Sequence, residues 1–114
     1  MIYNFSIDKN ITFTKDIYLT SGGVPQSLVG KKVRCIIKES YETDTILFDL
    51  TEANNGINVL DDAGGQISLY ISAADLDITA DFGVYSIVSI DETYPLDIIN
   101  KLLDGKITFV KGTL

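Results

Sequence analysis

Apolar residues recur at every second position of this chain, in short runs broken by turn-forming residues. That period belongs to half-buried strands, because side chains on a strand point alternately to its two faces. Ile11, Phe13, Ile17 and Leu19 share a face, with Lys15 the exception, and Val33, Cys35 and Ile37 share another. Ile46, Phe48 and Leu50 follow, then Ile57 with Val59, then Ile67, Leu69 and Ile71. From Val84 to Ile90 both faces are apolar in part, with Val84, Ser86, Val88 and Ile90 on one side and Tyr85, Ile87 and Ser89 on the other. Ile107 and Phe109 mark a last strand, and Ile2 to Ile7 either opens the sheet or reaches out to a neighbour.

Between the runs lie Ser21-Gly22-Gly23-Val24-Pro25, Asn54-Asn55-Gly56, Asp61-Asp62-Ala63-Gly64-Gly65 and Asp104-Gly105. Glycine and asparagine take positive φ cheaply and proline has its φ already fixed, so these are chain corners. Asp104-Gly105 between Leu103 and Lys106 is the best tight-hairpin signal. Ser72 to Thr79 predicts one or two helical turns opened by a serine cap, and Pro95 limits any helix over residues 96–103. Strands at this spacing predict an all-β fold: a two-sheet antiparallel, immunoglobulin-like sandwich of about seven or eight strands, with a small β-barrel as the alternative. At 114 residues, and with no linker or repeat, the expectation is a single domain over residues 1–114.

Composition excludes more than it identifies. A net charge of −7 works against binding nucleic acid or anionic lipid, where clustered cations supply the affinity, and only Lys31, Lys32 and Arg34 stand close together. No segment reaches membrane-spanning length, and the first residues lack a basic start followed by a signal-length apolar stretch. With no histidine in the chain, the commonest general base and transition-metal ligand is missing. No nucleophile elbow, phosphate loop or dinucleotide fingerprint is present, so neither a catalytic residue nor a cofactor is expected. Cys35, alone and within an apolar run, predicts a buried, inert thiol. The carboxylates Asp61 with Asp62, and Asp75 with Asp77 and Asp81, do not follow a calcium-loop spacing and read as solvated turn acids, so no metal site is assigned. Tyr3, Tyr18, Tyr41 and Tyr94 are candidates for exposed, interface or sugar-contacting positions.

One order of elements resembles a known family. A strand at Ile11 to Leu19 is followed by Gly23-Val24-Pro25, by Ser27-Leu28-Val29-Gly30 and by the strand Val33-Arg34-Cys35-Ile36-Ile37-Lys38. Later come Asn55-Gly56-Ile57, Gly65-Gln66-Ile67-Ser68-Leu69, Phe82-Gly83-Val84-Tyr85 and Leu102-Leu103-Asp104-Gly105-Lys106-Ile107. Over residues 11 to 110 this is similar to small phage tail and baseplate domains, including the N-terminal domain of baseplate upper proteins, apart from Ser27, where that pattern often has an acid. The resemblance implies a non-enzymatic bacteriophage virion structural protein, made in the host cytoplasm and attached to a tail, baseplate, neck or capsid. Its partners would be other virion proteins in a symmetric homo- or hetero-oligomer, with residues 1–7 and 111–114 as contact arms. The rival reading is a glycan-binding module recognising a host surface through exposed tyrosines and loop carboxylates.

Overall fold

The computed structural model describes residues 3–91 and 98–111. The ten strands are β1 (Phe5–Asp8), β2 (Phe13–Tyr18), β3 (Thr20–Ser21), β4 (Val24–Pro25), β5 (Lys32–Lys38), β6 (Ile46–Thr51), β7 (Ile57–Asp61), β8 (Gln66–Ile71), β9 (Phe82–Asp91) and β10 (Ile98–Val110). They form a five-stranded sheet in the order β1-β10-β9-β5-β6, a three-stranded sheet in the order β2-β8-β7, and a small β3-β4 hairpin. Strands β2, β8 and β7 occupy the B, E and D places of an immunoglobulin sandwich, and β10, β9, β5 and β6 the places of G, F, C and the strand after C. The expected all-β sandwich is the fold.

The core sits between the two sheets. Ile17, Ile57, Ile67, Leu69 and Ile71 come from the small sheet and meet Val33, Cys35, Ile37, Tyr85, Ile87, Leu103, Ile107 and Phe109 from the large one. The alternation read from the sequence gives most of these inward positions, and Leu103, expected beside a hairpin turn, is inward as well. Burying an aliphatic side chain of this size contributes about 1.5–3 kcal/mol, so the shared face is what holds the layers together. Lys15 breaks the pattern without a buried charge. At the open margin of the sandwich its ammonium lies 5.1 Å from the centre of the Tyr3 ring and 5.5 Å from that of Phe5, where the ring faces attract a cation.

Three expectations are corrected. First, β1 runs parallel to β10, with Phe5 opposite Ile107 and Asp8 opposite Val110, so the large sheet is mixed and not wholly antiparallel. Secondly, Asp104-Gly105 is not a hairpin turn but lies in the middle of β10, where Gly105 pairs with Tyr85. Glycine is required there by a crossing chain and not by positive φ: an added Cβ would stand 2.0 Å from the Tyr3 carbonyl oxygen. Residues 92–97, which join β9 to β10 and include Tyr94 and Pro95, lie outside those described. Thirdly, the helix expected over Ser72 to Thr79 shrinks to one 3₁₀ turn at Ala74–Leu76. The Ser72 hydroxyl accepts a bond from the Asp75 amide at 3.3 Å, and Leu76 is fully buried. So short a segment cannot offset the entropy of starting a helix.

Beta-bulges interrupt the register at three places. In β10, Lys101 pairs with Val88 and Leu103 with Ile87, leaving Leu102 unpaired. Leu47 in β6 and Leu60 in β7 are skipped in the same way.

A candidate docking face on the five-stranded sheet

The carboxylates weighed in the sequence and read as turn acids form no common site among the described residues. Asp61 Oδ1 accepts the Gly64 amide at 3.1 Å and Asp62 Oδ1 accepts the Ala63 amide at 2.8 Å, so both serve their own turn. Asp81 is paired with Lys9 at 2.9 Å, away from Asp75 and Asp77 in any common ligand shell, and no group of metal-ligating side chains occurs among the described residues. Cys35 is buried, and burial pushes its thiol up to about 12. Tyr85 is also pushed up by burial, and its hydroxyl donates to the Tyr3 carbonyl.

Of the arm expected at residues 1–7, Tyr3 to Ile7 is held by its own domain. The Tyr3 amide donates to the Asp104 carbonyl at 2.9 Å, and the Lys106 amide donates to Asn4 Oδ1 at 2.9 Å. From Phe5 onward the segment is a strand of the large sheet. Residues 1–2 and 112–114 lie outside the described residues.

What the sequence reading left unused is the outer face of the five-stranded sheet. A solvated sheet face is ordinarily polar, yet β9 presents Phe82, Val84, Val88 and Ile90 outward, with Ser86 the one polar residue among them, while its buried face takes Tyr85, Ile87 and Ser89. Ile36 of β5, Ile46 of β6 and Ile99 of β10 extend this apolar spine to its neighbours. Phe82 is 68% exposed and Ile99 is 62% exposed. Beside Phe82 a groove of about 580 Å³ is lined by Tyr41, Glu42, Val84, Lys106 and Thr108.

Cations flank the spine. Lys32, Arg34 and Lys38 line up on β5, and Lys101 and Lys106 on β10. Five of the nine basic residues thus stand on the strands of this face, against Asp8, Asp49 and Asp104 of the sixteen acids, with Glu39 and Glu42 adjoining it at the Phe82 groove. Arg34 holds Asp49 by two bonds, of 2.7 and 2.6 Å, and that bonding lowers the Asp49 carboxyl and raises the guanidinium. Lys101 approaches Asp104 at 3.4 Å, while Lys38 and Lys106 hold no ion pair among the described residues. The face is apolar along its axis and net basic at its margins, on a chain of charge −7.

The outer face of the small sheet differs. It carries Tyr18 and Tyr70, both exposed, with Thr14, Asp16, Asn58 and Ser68, and the Gln66 amide donates to the Tyr18 hydroxyl at 3.0 Å. Near Tyr70 a cleft of about 400 Å³ contains Asp49, Asn54 and Asp75. Asp49 there is taken by Arg34, and Asn54 is committed to backbone, its amide donating to the Asp49 carbonyl at 2.7 Å and its oxygen accepting from the Thr51 and Gly56 amides at 2.9 Å.

No family model and no curated protein matches the chain. Among solved structures it is similar to the N-terminal domain of phage TP901-1 ORF48, with a TM-score of 0.62 and 10% identity, over 97% of this chain and 100% of that one. At that identity the likeness is one of fold, and the fold this chain shares is that of a phage protein's N-terminal domain.

Proposed function

We propose that this chain is a non-catalytic structural component of a bacteriophage particle, working as one sandwich unit over residues 1–114. It attaches to a tail, baseplate, neck or capsid lattice by protein contacts. The observation that carries the reading is the apolar outer face of β9, open to solvent, in a fold shared with a phage domain. Contiguous exposed apolar surface on a soluble domain marks an interaction site, because leaving it in water forgoes roughly 25 cal/mol per Å². Repetition on a symmetric lattice multiplies a modest contact into a firm attachment.

Electron cryomicroscopy of particles from the source of this chain tests the reading. Density for the sandwich at symmetric positions, with Phe82 and Ile99 covered, is the expected result. Particles without it sink the proposal.

Tyr18 and Tyr70, exposed on one polar face, favour a second reading, glycan recognition at a host surface. A glycan array run with and without chelator decides it, since an attachment unit binds nothing in either condition.

A further inference from the structure

We propose that the outer face of the five-stranded sheet receives the acidic loop end of a second copy of this chain, so that copies join head to tail. The inference rests on the reading of this face as a docking surface and names what docks there.

Two observations on adjoining parts of the molecule, the sheet face and the loop end beside its Phe82 groove, fit one another across a contact between copies. The face offers an apolar spine with rows of cations at its margins, of which Lys38 and Lys106 are unpaired among the described residues. At the end of the sandwich where β5 and β8 finish, two connections carry the opposite charge. Glu39, Glu42 and Asp44 follow β5, and Asp75 and Asp77 precede β9, with Asp81 beside them already paired to Lys9. The first of these connections also carries Tyr41, 59% exposed, an aromatic of the kind that anchors interfaces. Whole-molecule repulsion between two chains of charge −7 is screened over about 8 Å at physiological salt, so the local charges at contact decide the outcome.

A two-fold pairing of identical faces would set cation rows against each other. Face-to-end contact sets cations against acids, and it leaves a free face on one copy and a free end on the other. Such a heterologous contact continues into a ring or a filament. Four strands about 4.8 Å apart and a strand of ten residues give the face a projected area of roughly 600 Å², near the size of one side of a standard stable interface.

Sedimentation velocity of the full chain, from micromolar to near-millimolar concentration, supplies the test. The expected result is concentration-dependent growth beyond a dimer at low salt, with the midpoint moved up about tenfold in molar salt. A face variant (Lys101→Glu with Lys106→Glu) and an end variant (Asp75→Lys with Asp77→Lys) are each expected to stay monomeric. Mixed, they are expected to grow again as an alternating assembly, because the intact face of one meets the intact end of the other and the reversed, acidic face meets the reversed, basic end. The Lys101→Gln, Lys106→Gln variant, which adds no new charge, is expected to weaken growth without abolishing it, and circular dichroism confirms that each variant is folded. An end variant that still dimerises alone overturns head-to-tail joining in favour of a two-fold contact, and a wild-type chain monomeric throughout overturns the proposal altogether. Failure of the virion reading looks different: chains that join in this way in solution but are found in no particle.

Discussion

Replacing Gly105 by alanine asks whether β10 needs glycine for a turn or for a crossing chain. The added Cβ would stand 2.0 Å from the Tyr3 carbonyl oxygen and 2.8 Å from its carbon, both backbone atoms that cannot swing aside. The N-terminal segment must move. It then gives up the Tyr3 amide bond to Asp104, the Tyr85 hydroxyl bond to Tyr3 and the Lys106 amide bond to Asn4. The two amide bonds contribute about 0.5–1.5 kcal/mol each, and orphaning the hydroxyl of a buried tyrosine costs about 1–3 kcal/mol, so a loss of about 2–6 kcal/mol is expected. Were Gly105 merely a strand glycine with room beside it, alanine would gain about 0.5–1 kcal/mol instead. Urea unfolding followed by far-ultraviolet circular dichroism reads the difference. An unchanged or raised midpoint refutes the crossing-chain account. Tyr85→Phe is expected to lose about 1 kcal/mol, and because both changes act through the Tyr3 carbonyl their effects should be less than additive.

The Cys35 thiol should ignore a water-soluble disulfide reagent in the folded protein and react once it is unfolded, with early reaction showing that the site opens locally. Its folded pKa of about 12 lies above the unfolded value near 9, so the thiol's contribution is complete below pH 9 and is lost as pH rises toward 12, which unfolding midpoints compared with Cys35→Ala would show. Asp49 is shifted the other way by its bonds to Arg34, so its contribution is present above pH ~4 and lost as pH falls through the lowered folded value. Both partners are more than a third exposed, so Asp49→Asn should cost less than about 1 kcal/mol at neutral pH and flatten the acid limb of the stability curve. Asn54→Ala removes the side chain that occupies the free edge of β6 at Asp49 and Thr51; faster thioflavin-positive aggregation is expected, and unchanged aggregation would show that the edge is guarded otherwise.

Much of the sandwich was legible because one buried face imposes a period of two on each strand. Val33-Cys35-Ile37 and Ile67-Leu69-Ile71 could be assigned from spacing alone, and both triplets are buried. Reading failed where a long-range contact sets the local sequence. Gly105 answers to Tyr3, which lies a hundred residues away, and nothing beside Gly105 reports that. Parallel pairing of β1 is equally silent, since a strand's own pattern does not state the direction of its neighbour. The docking face was half legible: apolar residues on both sides of Val84 to Ile90 were visible, but the alignment of Lys32, Arg34 and Lys38 with Lys101 and Lys106 depends on sheet order. Tyr18, Tyr41 and Tyr3 are exposed as expected, whereas Tyr85, which no spacing rule separated from them, is the buried tyrosine of the core.

The unpaired Leu102 acts as a phase slip in β10. Lys101 and Lys106 are five positions apart, an odd interval that in a regular strand would send them to opposite sides of the sheet, one of them into the core. One extra residue makes the interval effectively even, and both ammonium groups reach the outer surface while Leu103, Ile107 and Phe109 keep the interior. Deleting Leu102 would therefore do more than shorten a strand. It would exchange the two sides of one half of β10, turning inward either Asp104 and Lys106 or Lys101 and Ile99, so a single-residue count decides whether β10 adds its own cation row to that of β5.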